Sequence, residues 1–487
     1  MEDRAKKIGG LIAGAGVGAA AASALRRRWS HRPEDAPGPP GGAGTRYLER
    51  LAEAVRIPTV SFEEPDRIDR SAFDRFHAFL AESYPLVHEH LRREVVTGHA
   101  LLYTWEGADP DAPAVLLMAH QDVVPIEAGT EGEWSHEPFS GTIDGEFLWG
   151  RGSLDDKGAL IAILEAVERL LADGFVPETP LLLAFGDDGE IGGATGARAI
   201  AEHLRSRDVR LDFVLDEGGV VVEDLLPGAR APLGLLGIGE KGHVNVSISA
   251  SGEGGQPMAP PTSTAIGTLA EAIRRLEASP MPARLPVQFG LFRALATVLP
   301  FARRGVLGRP GAFAGLIERQ MADTPATNAL IRTTMAVTMI DGGVRPNVLP
   351  QQARAVVNVW VMPGDTIEGV LEHMRSVVGA EVVVEAVEEA FAGDPPPLSD
   401  PDGPGYQVVS ETIGEVLGVG TAPWIVPGAT DSRHFVDLAP GAVYRFAPFT
   451  ATPSDLGRVQ GADERLRVAD ADRAVAFFER LVRRACG

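Results

Sequence analysis

Cysteine and positive charge are both scarce in this chain of 487 residues. The single cysteine, Cys486, cannot form an internal disulfide, so the sequence neither requires nor excludes an oxidising compartment. Lysine and arginine number 45 against 67 acidic residues, which leaves a formal net charge of -22. Because such a chain repels a phosphate backbone, we expect no nucleic-acid partner.

The remaining composition is that of a globular protein. Hydrophobic residues make up 45% and charged residues 23% of the chain, and 56 glycines and 37 prolines indicate many tight turns. The length exceeds what one hydrophobic core usually organises. We therefore expect two globular domains and a terminal extension.

The N-terminal segment combines apolar and basic residues. Residues 9–25 are apolar and rich in glycine and alanine, with basic residues on both sides, and residues 22–24 resemble a signal-peptidase site. The apolar stretch lies at the lower length limit for crossing a bilayer. We predict export or membrane anchoring through this segment, with a flexible cytoplasmic tail as the alternative. Proline and glycine in residues 32–44 indicate a linker, so residues 1–44 precede the folded part.

From residue 45 onward, strand-length apolar runs alternate with helical patterns, which predicts an α/β fold with a mostly parallel sheet. Three runs, residues 114–118, 181–185 and 213–215, are nearly all apolar, as in strands buried on both faces. Each is followed closely by histidine, aspartate or glutamate. Because the carboxyl ends of strands form the ligand crevice of such a sheet, we expect these polar residues to converge there.

The middle of the chain has the order β-α-β-β-α-β, which is typical of a ferredoxin-like unit. The predicted elements lie at residues 244–248, 264–276, 333–340, 353–361, 367–378 and 381–387. We therefore predict that residues 241–390 form a domain inserted into another domain of residues 45–240 and 391–487. Apolar pieces within residues 279–327 predict helices added to the inserted domain.

Candidate metal ligands follow the first strand. His120 and Asp122 point to the same side if the chain stays extended, and a carboxylate beside a histidine ligand is common in metal sites. Asp155 lies in a glycine-rich loop before a helix, and its two oxygens suit it to bridge two metal ions. The alternatives are surface polar residues for the first pair and helix capping for Asp155.

Further acidic residues follow the second and third strands. Glu190 ends the sequence FGDDGE, and Asp216 with Glu217 ends VLDE. After one strand such residues are usually part of a turn. After three strands that meet at one crevice, a functional site is the better explanation.

Six motifs in order resemble one family over nearly the whole chain from residue 45. They are HQDVVP at His120, GRGSLDDKG around Asp155, FGDDGEIGG around Glu190, VLDEGG around Asp216, RPNVLP around Asn347 and GATDSRHF around Arg433. These motifs resemble the aminoacylase, carboxypeptidase S and succinyl-diaminopimelate desuccinylase family of dizinc metallopeptidases. The carboxypeptidase S branch, with its N-fatty-acyl-amino-acid hydrolases, is the most similar.

The resemblance implies roles for these residues. His120 and Asp216 would bind one zinc ion, Asp155 would bridge both ions and Glu190 would bind the second, while Asp122, as a catalytic residue, would orient His120. Whether Asp216 or Glu217 is the ligand stays open.

The resemblance also implies how a substrate is held. The inserted domain would be a lid that forms a homodimer, Asn347 would reach the substrate in its own site or in the partner's site, and Arg433 would pair with a substrate carboxylate. For Arg433 alone, a surface ion pair is the alternative.

Four positions depart from the family pattern. Gly189 replaces the glutamate expected as general base, Gln256 replaces a lid histidine, Trp360 replaces a lid arginine that binds carboxylate, and Gln460 replaces the last zinc-binding histidine. An amide is a poor zinc ligand, so we expect one zinc site and a doubtful second one. Asp187 or Asp188 would have to replace the base.

Two functions fit these observations. The first is metal-dependent hydrolysis of N-acyl amino acids or peptides, since losing a general base costs about a hundredfold to ten-thousandfold without abolishing the chemistry. The second is a non-catalytic family member that binds a ligand in the crevice or a partner through the lid.

Overall fold

The computed structural model describes residues 41–224, 229, 231–389 and 391–487. Within these ranges, no helix has the length and apolar character needed to cross a membrane. The prediction of export or membrane anchoring is therefore corrected. The segment on which it rested, residues 9–25, lies outside the described residues. Its hydrophobicity was weak from the outset, because glycine and alanine contribute little to membrane transfer.

Seventeen strands lie within the described residues. They are β1 Arg92–Thr97, β2 Ala100–Trp105, β3 Ala114–His120, β4 Thr142–Asp144, β5 Phe147–Trp149, β6 Leu181–Gly186, β7 Leu211–Asp216, β8 Val221–Val222, β9 Leu233–Glu240, β10 Gly242–Ser251, β11 Thr334–Gly342, β12 Gln352–Val361, β13 Val382–Ala386, β14 Gly420–Val426, β15 Val443–Arg445, β16 Thr450–Ala451 and β17 Arg465–Arg467.

The α-helices are α1 Gly42–Val55, α2 Arg70–Ser83, α3 Pro85–His90, α4 Lys157–Ala172, α5 Ala197–Ser206, α6 Ala265–Ala278, α7 Phe289–Val298, α8 Phe301–Leu307, α9 Ala314–Met321, α10 Pro325–Ala329, α11 Ile367–Val378, α12 Pro404–Thr412, α13 Pro453–Leu456 and α14 Ala471–Ala485. Two short 3₁₀ helices, Gly189–Ile191 and Asp431–Phe435, lie beside the site described below.

The larger sheet has the order β1-β2-β6-β3-β7-β15-β9-β8-β16, with β14 also paired to β9. Its centre is parallel, since β3 pairs in parallel with both β6 and β7. Alternate residues of β3 face opposite layers: Val115 and Leu117 pack with α1, α4 and α14, while Leu116 and Met118 pack with α5. The three predicted apolar runs are thus adjacent strands buried on both faces, and the predicted α/β fold is confirmed.

The second sheet is antiparallel, with the order β11-β12-β10-β13. Helices α6 and α11 cover one face with a core that includes Val246, Leu269 and Met374. Each helix begins at a threonine whose Oγ1 accepts the hydrogen bond of a glycine N–H, Thr264 for α6 and Thr366 for α11. The order β-α-β-β-α-β is therefore as predicted.

The helices predicted within residues 279–327 pack in the core of the larger sheet and not in that of the four-stranded sheet. Leu291, Phe292 and Ile317 of α7 and α9 pack with Leu235 of β9 and Ala422 of β14, which are strands of the larger sheet. The prediction had placed them with the four-stranded unit, because their position in the chain falls within it. Position along the chain does not decide which apolar surface a helix covers.

Candidate metal centre

The ends of the central strands bring distant residues together. In the parallel pairing of β3 with β6, His120 lies opposite Gly186, so the segment that carries Glu190 begins beside the histidine. Asp155 approaches from the loop before α4. The convergence predicted at the carboxyl edge of the sheet is present in the structure.

Three of the predicted ligands form one cluster. One ligand atom each from His120, Asp155 and Glu190 lies within 4.8 Å of the other two. The His120 Nε2 atom is 3.1 Å from Asp155 Oδ1. Burial alone would lower the pKa of His120, but its contacts with Asp122 and Asp155 raise that pKa well above the ordinary value. Imidazole and carboxylate are ligands suited to a divalent cation such as zinc.

Asp122 contacts two residues of the cluster, His120 and Glu190. His120 Nδ1 lies 2.9 Å from the Asp122 backbone oxygen and 3.3 Å from its Oδ1 atom. The same carboxylate accepts hydrogen bonds from the N–H groups of Gly189, at 2.9 Å, and Glu190, at 3.0 Å, and from Ser61 Oγ, at 2.6 Å. Burial would raise the pKa of Asp122, but these donors and His120 hold it below the ordinary value. Asp122 therefore orients His120 and the Glu190 backbone together.

Glu190 retains the capacity to bind a cation. Its Oε1 atom is buried and has no hydrogen-bond partner in the described part of the chain, although such atoms are usually satisfied. Burial and the charge of Asp155 raise the pKa of Glu190 well above the ordinary value. A cation beside His120 and Asp155 would satisfy this oxygen, so the residues fit one metal ion.

Gln460 occupies the other side of the two carboxylates. Its Nε2 atom donates to Asp155 Oδ2 at 3.2 Å and to Glu190 Oε2 at 2.6 Å. An amide N–H group carries a proton and offers no lone pair to a metal. In this arrangement the donor set does not fit a second zinc ion, which agrees with the doubt raised by the sequence.

Gly189 leaves no room for the missing base. A Cβ atom at this position would lie 2.8 Å from Cγ of His120, so a glutamate here requires the imidazole ring to move. The neighbouring aspartates each accept hydrogen bonds from other residues, and replacement of the base by either of them stays a prediction. Asp187 accepts the His99 N–H at 2.7 Å, and Asp188 accepts from Thr195 N and Oγ1, both at 2.7 Å. Among the described residues, the second Asp187 oxygen, Oδ1, is buried and has no hydrogen-bond partner.

Asp216 is buried at the end of β7 and does not join the cluster of three. Its Oδ2 atom accepts the Ser432 N–H at 2.8 Å. Burial raises the pKa of Asp216 and, more strongly, that of Glu217, whose pKa is raised further by Asp155. The choice between these two residues as the ligand stays a prediction.

The two predicted substrate residues differ in their surroundings. Arg433 Nη2 donates to the Gly192 carbonyl oxygen at 2.7 Å, two residues beyond Glu190, and its guanidinium carbon lies 4.6 Å from the centre of the Phe391 ring. Asn347 is exposed in the turn between β11 and β12 and forms no hydrogen bond within the described residues. The structure thus brings Arg433 near the cluster and leaves Asn347 in solvent.

Glu464 is a supporting residue to which the sequence assigned no role. Its Oε1 atom accepts the N–H groups of Gly152 at 2.9 Å, Leu154 at 3.0 Å and Asp155 at 3.3 Å, while Arg151 Nη1 lies 2.5 Å from Oε2. Burial raises the pKa of Glu464 to about 7, against the opposing effect of Arg151. In the sequence, the available indication of this role was that Glu464 lies four residues after Gln460. The role was not predicted, because no spacing rule identifies a carboxylate that holds a distant loop.

Fold and cluster together define a metallopeptidase type of hydrolase. The solved structure of an M20 family metallo-carboxypeptidase, Sso-CP2 from Sulfolobus solfataricus, is similar with a TM-score of 0.63 over 90% of this chain and 98% of that chain. The two sequences are 18% identical, so this similarity establishes the fold.

The chain belongs to the peptidase family M20/M25/M40, whose model matches residues 116–484. It is 38% identical over 449 residues to the human N-fatty-acyl-amino acid synthase/hydrolase PM20D1, covering 90% of this chain and 87% of that protein. It is 35% identical over 441 residues to the probable carboxypeptidase S-like 2 of Dictyostelium discoideum, covering 89% and 84%. The family predicted from the six motifs, including its branch, is confirmed.

Proposed function

We propose that the protein hydrolyses the amide bond of N-acyl amino acids or peptides with one zinc ion held by His120, Asp155 and Glu190. The convergence of these three side chains above Asp122 carries the proposal. The names of the relatives support this substrate class, since one is an N-fatty-acyl-amino acid synthase/hydrolase and another is carboxypeptidase S-like.

The reaction would be an ordinary hydrolysis. Water adds to the carbonyl carbon, the C–N bond breaks, and the products are a carboxylic acid and an amine that takes the proton. A zinc ion supplies a Lewis acid that polarises the carbonyl oxygen. Asp122 fixes the His120 ring, Glu464 fixes the Asp155 loop, and Arg433 would pair with the substrate carboxylate.

The proposal also includes the inserted unit, residues 241–390, as a lid and a homodimer surface. Its edge strand β11 carries Met339 and Ile340, which are 60% and 61% exposed. An exposed apolar edge strand is suited to pairing with a second copy. Such pairing is the condition under which Asn347 would reach a substrate.

A second candidate function is ligand binding without turnover. It is favoured by Gly189, where the His120 ring fills the space of the missing base, and by the Gln460 amide between Asp155 and Glu190. In this case the crevice binds the same N-acyl amino acids and releases them unchanged.

The test combines metal content with turnover. The purified chain, loaded with zinc and dialysed, is measured for bound metal by mass spectrometry and for hydrolysis of a panel of N-acyl amino acids. We expect about one zinc ion per chain and slow hydrolysis, both lost in His120→Ala. His136→Ala, which removes a loop histidine paired with Asp144 of β4, is the matched control.

The outcomes separate the two candidates. One zinc ion with hydrolysis that disappears in His120→Ala supports the hydrolase. One zinc ion with tight binding of the panel and no turnover supports the binding protein. If the native chain binds no zinc, the metal centre is absent and the hydrolase proposal is abandoned.

A further inference from the structure

Among the residues that the structure describes, no helix packs on one face of the four-stranded sheet. The side chains of β10 and β12 that point away from α6 and α11 are paired across the strands, and most of them are polar. The pairs are His243 with Trp360, Asn245 with Asn358, Ser247 with Val356 and Ser249 with Arg354. Trp360 is a large aromatic residue on this mostly polar face. It lies at the end of the sheet where β9 of the larger sheet continues into β10.

Trp360 belongs to an aromatic cluster of three rings. The centres of the His243 and Trp360 rings are 4.8 Å apart, those of His243 and Phe391 are 4.8 Å apart, and those of Trp360 and Phe391 are 6.1 Å apart. The His243 side chain is buried, and Asn358 Nδ2 lies 2.8 Å from its Nε2 atom. These distances are typical of favourable aromatic contacts, so the position of Trp360 is well defined.

This aromatic cluster contacts the segment that follows Glu190. Phe391 packs on Gly192, where a Cβ atom would lie 2.6 Å from the ring, and Gly192 is two residues beyond Glu190. The Arg433 guanidinium stacks on the same Phe391 ring. Within the described residues Arg433 forms no ion pair, so its outer N–H groups are available to a carboxylate.

We infer that Trp360 is the residue that determines side-chain specificity: it selects ligands with a large apolar or aromatic group beside the carboxylate that Arg433 binds. This inference rests on the proposed function and deepens it, because it names the amino-acid side chain of the substrate. An aromatic wall favours a phenyl or branched alkyl group and offers no partner to an acidic one.

The test uses three succinates that carry no amide bond, so it needs no turnover. Benzylsuccinate, methylsuccinate and tricarballylate share two carboxylates and differ in an aromatic, a small and an acidic substituent. Calorimetry on the zinc-loaded chain should show benzylsuccinate binding roughly tenfold tighter than methylsuccinate. Trp360→Ala should reduce this ratio to about one and leave methylsuccinate within twofold of its native dissociation constant.

Two further variants separate specificity from folding. Trp360→Phe should keep most of the preference, and Trp360→Arg should reverse it, so that tricarballylate binds tighter than benzylsuccinate. Val356→Ala, on the same strand face but away from the aromatic cluster, is the matched control and should change nothing.

Three results would overturn the inference: an unchanged benzyl-to-methyl ratio in Trp360→Ala, an equal loss for all three ligands, or no binding of any of them to the zinc-loaded native chain. Failure of the proposed function has a different signature. A benzyl preference that depends on Trp360 in a chain without hydrolysis removes the hydrolase and keeps this inference. Hydrolysis by a chain that shows no benzyl preference keeps the hydrolase and removes this inference.

Discussion

The two sides of Asp155 differ in what they offer a metal ion. On one side His120 is held by Asp122, which also binds the backbone of Gly189 and Glu190. On the other side Gln460 donates hydrogen bonds to the carboxylates of Asp155 and Glu190. On the first side, the lone pairs of the ligands are oriented before a metal ion binds. On the second side, the uncharged Gln460 amide does not balance the negative charge of the two carboxylates. A family site can thus keep its frame while one half of its chemistry is replaced.

The largest effect on stability is expected from a variant that weakens the support of the Asp155 loop, on which both sides depend. Arg151→Ala leaves Glu464 buried without its ion pair beneath the Asp155 loop, and breaking a buried pair costs about 3–5 kcal/mol. Urea denaturation should show this fall in the free energy of unfolding. Arg198→Ala, from an exposed pair with Glu202, is the control and should cost less than about 0.5 kcal/mol. Equal effects of the two variants would mean that the Glu464 contacts do not hold the loop.

The intact side should depend on Asp122. Asp122→Ala keeps the backbone oxygen beside His120 Nδ1 but removes the carboxylate that contacts His120 and holds the backbone of Gly189 and Glu190. The loss of such a partner typically weakens metal affinity about 10-fold to 100-fold. Competition with a zinc chelator measures the change. Asp144→Ala, which removes a carboxylate beside His136, serves as control and should leave the affinity unaltered. Native affinity in Asp122→Ala would show that His120 needs no such support.

The substituted side should be restored by one residue. Gln460→His replaces the amide with an imidazole at a position with φ of 58°, a backbone conformation that histidine tolerates better than most residues. We expect bound zinc to rise from about one to about two ions per chain, measured by mass spectrometry. Gln460→Ala, which removes the amide without adding a ligand, should stay at one. Two tightly bound ions in the native chain would remove the difference between the two sides.

The smallest effect concerns pH. His77 contacts Gln121, the neighbour of His120, and burial together with Arg93 lowers the pKa of His77 to about 4. In the unfolded chain this pKa is about 6.5, so below that pH the unfolded state binds a proton that the folded state refuses. The free energy of unfolding should therefore fall as the pH drops from 6.5 to 4. We expect a fall of only about 1 kcal/mol, because the partial exposure of His77 screens the effect. Thermal unfolding at pH 7 and 4.5 should show a smaller fall for His77→Gln; equal falls would assign the pH dependence to other groups.

Much of the frame was predictable from local pattern. Apolar runs located β3, β6 and β7, and the helical repeat before Gly174 located α4, because periodicity and glycine stops act over a few residues. The candidate ligands were predictable because polar residues follow those strands. The partner core of α7 and α9 was not, since it depends on which surface of the larger sheet is left open.

The sequence by itself determined the family, the α/β fold and the four substituted positions, because each is written in short motifs and in residue identity. Only the tertiary structure decided that Gln460 donates to both Asp155 and Glu190, and that the His120 ring fills the space beside Gly189. It also decided that Trp360 packs with His243 and Phe391 next to Arg433. The physical reason is that these contacts join residues separated by up to several hundred positions, and their distances depend on how the two sheets meet.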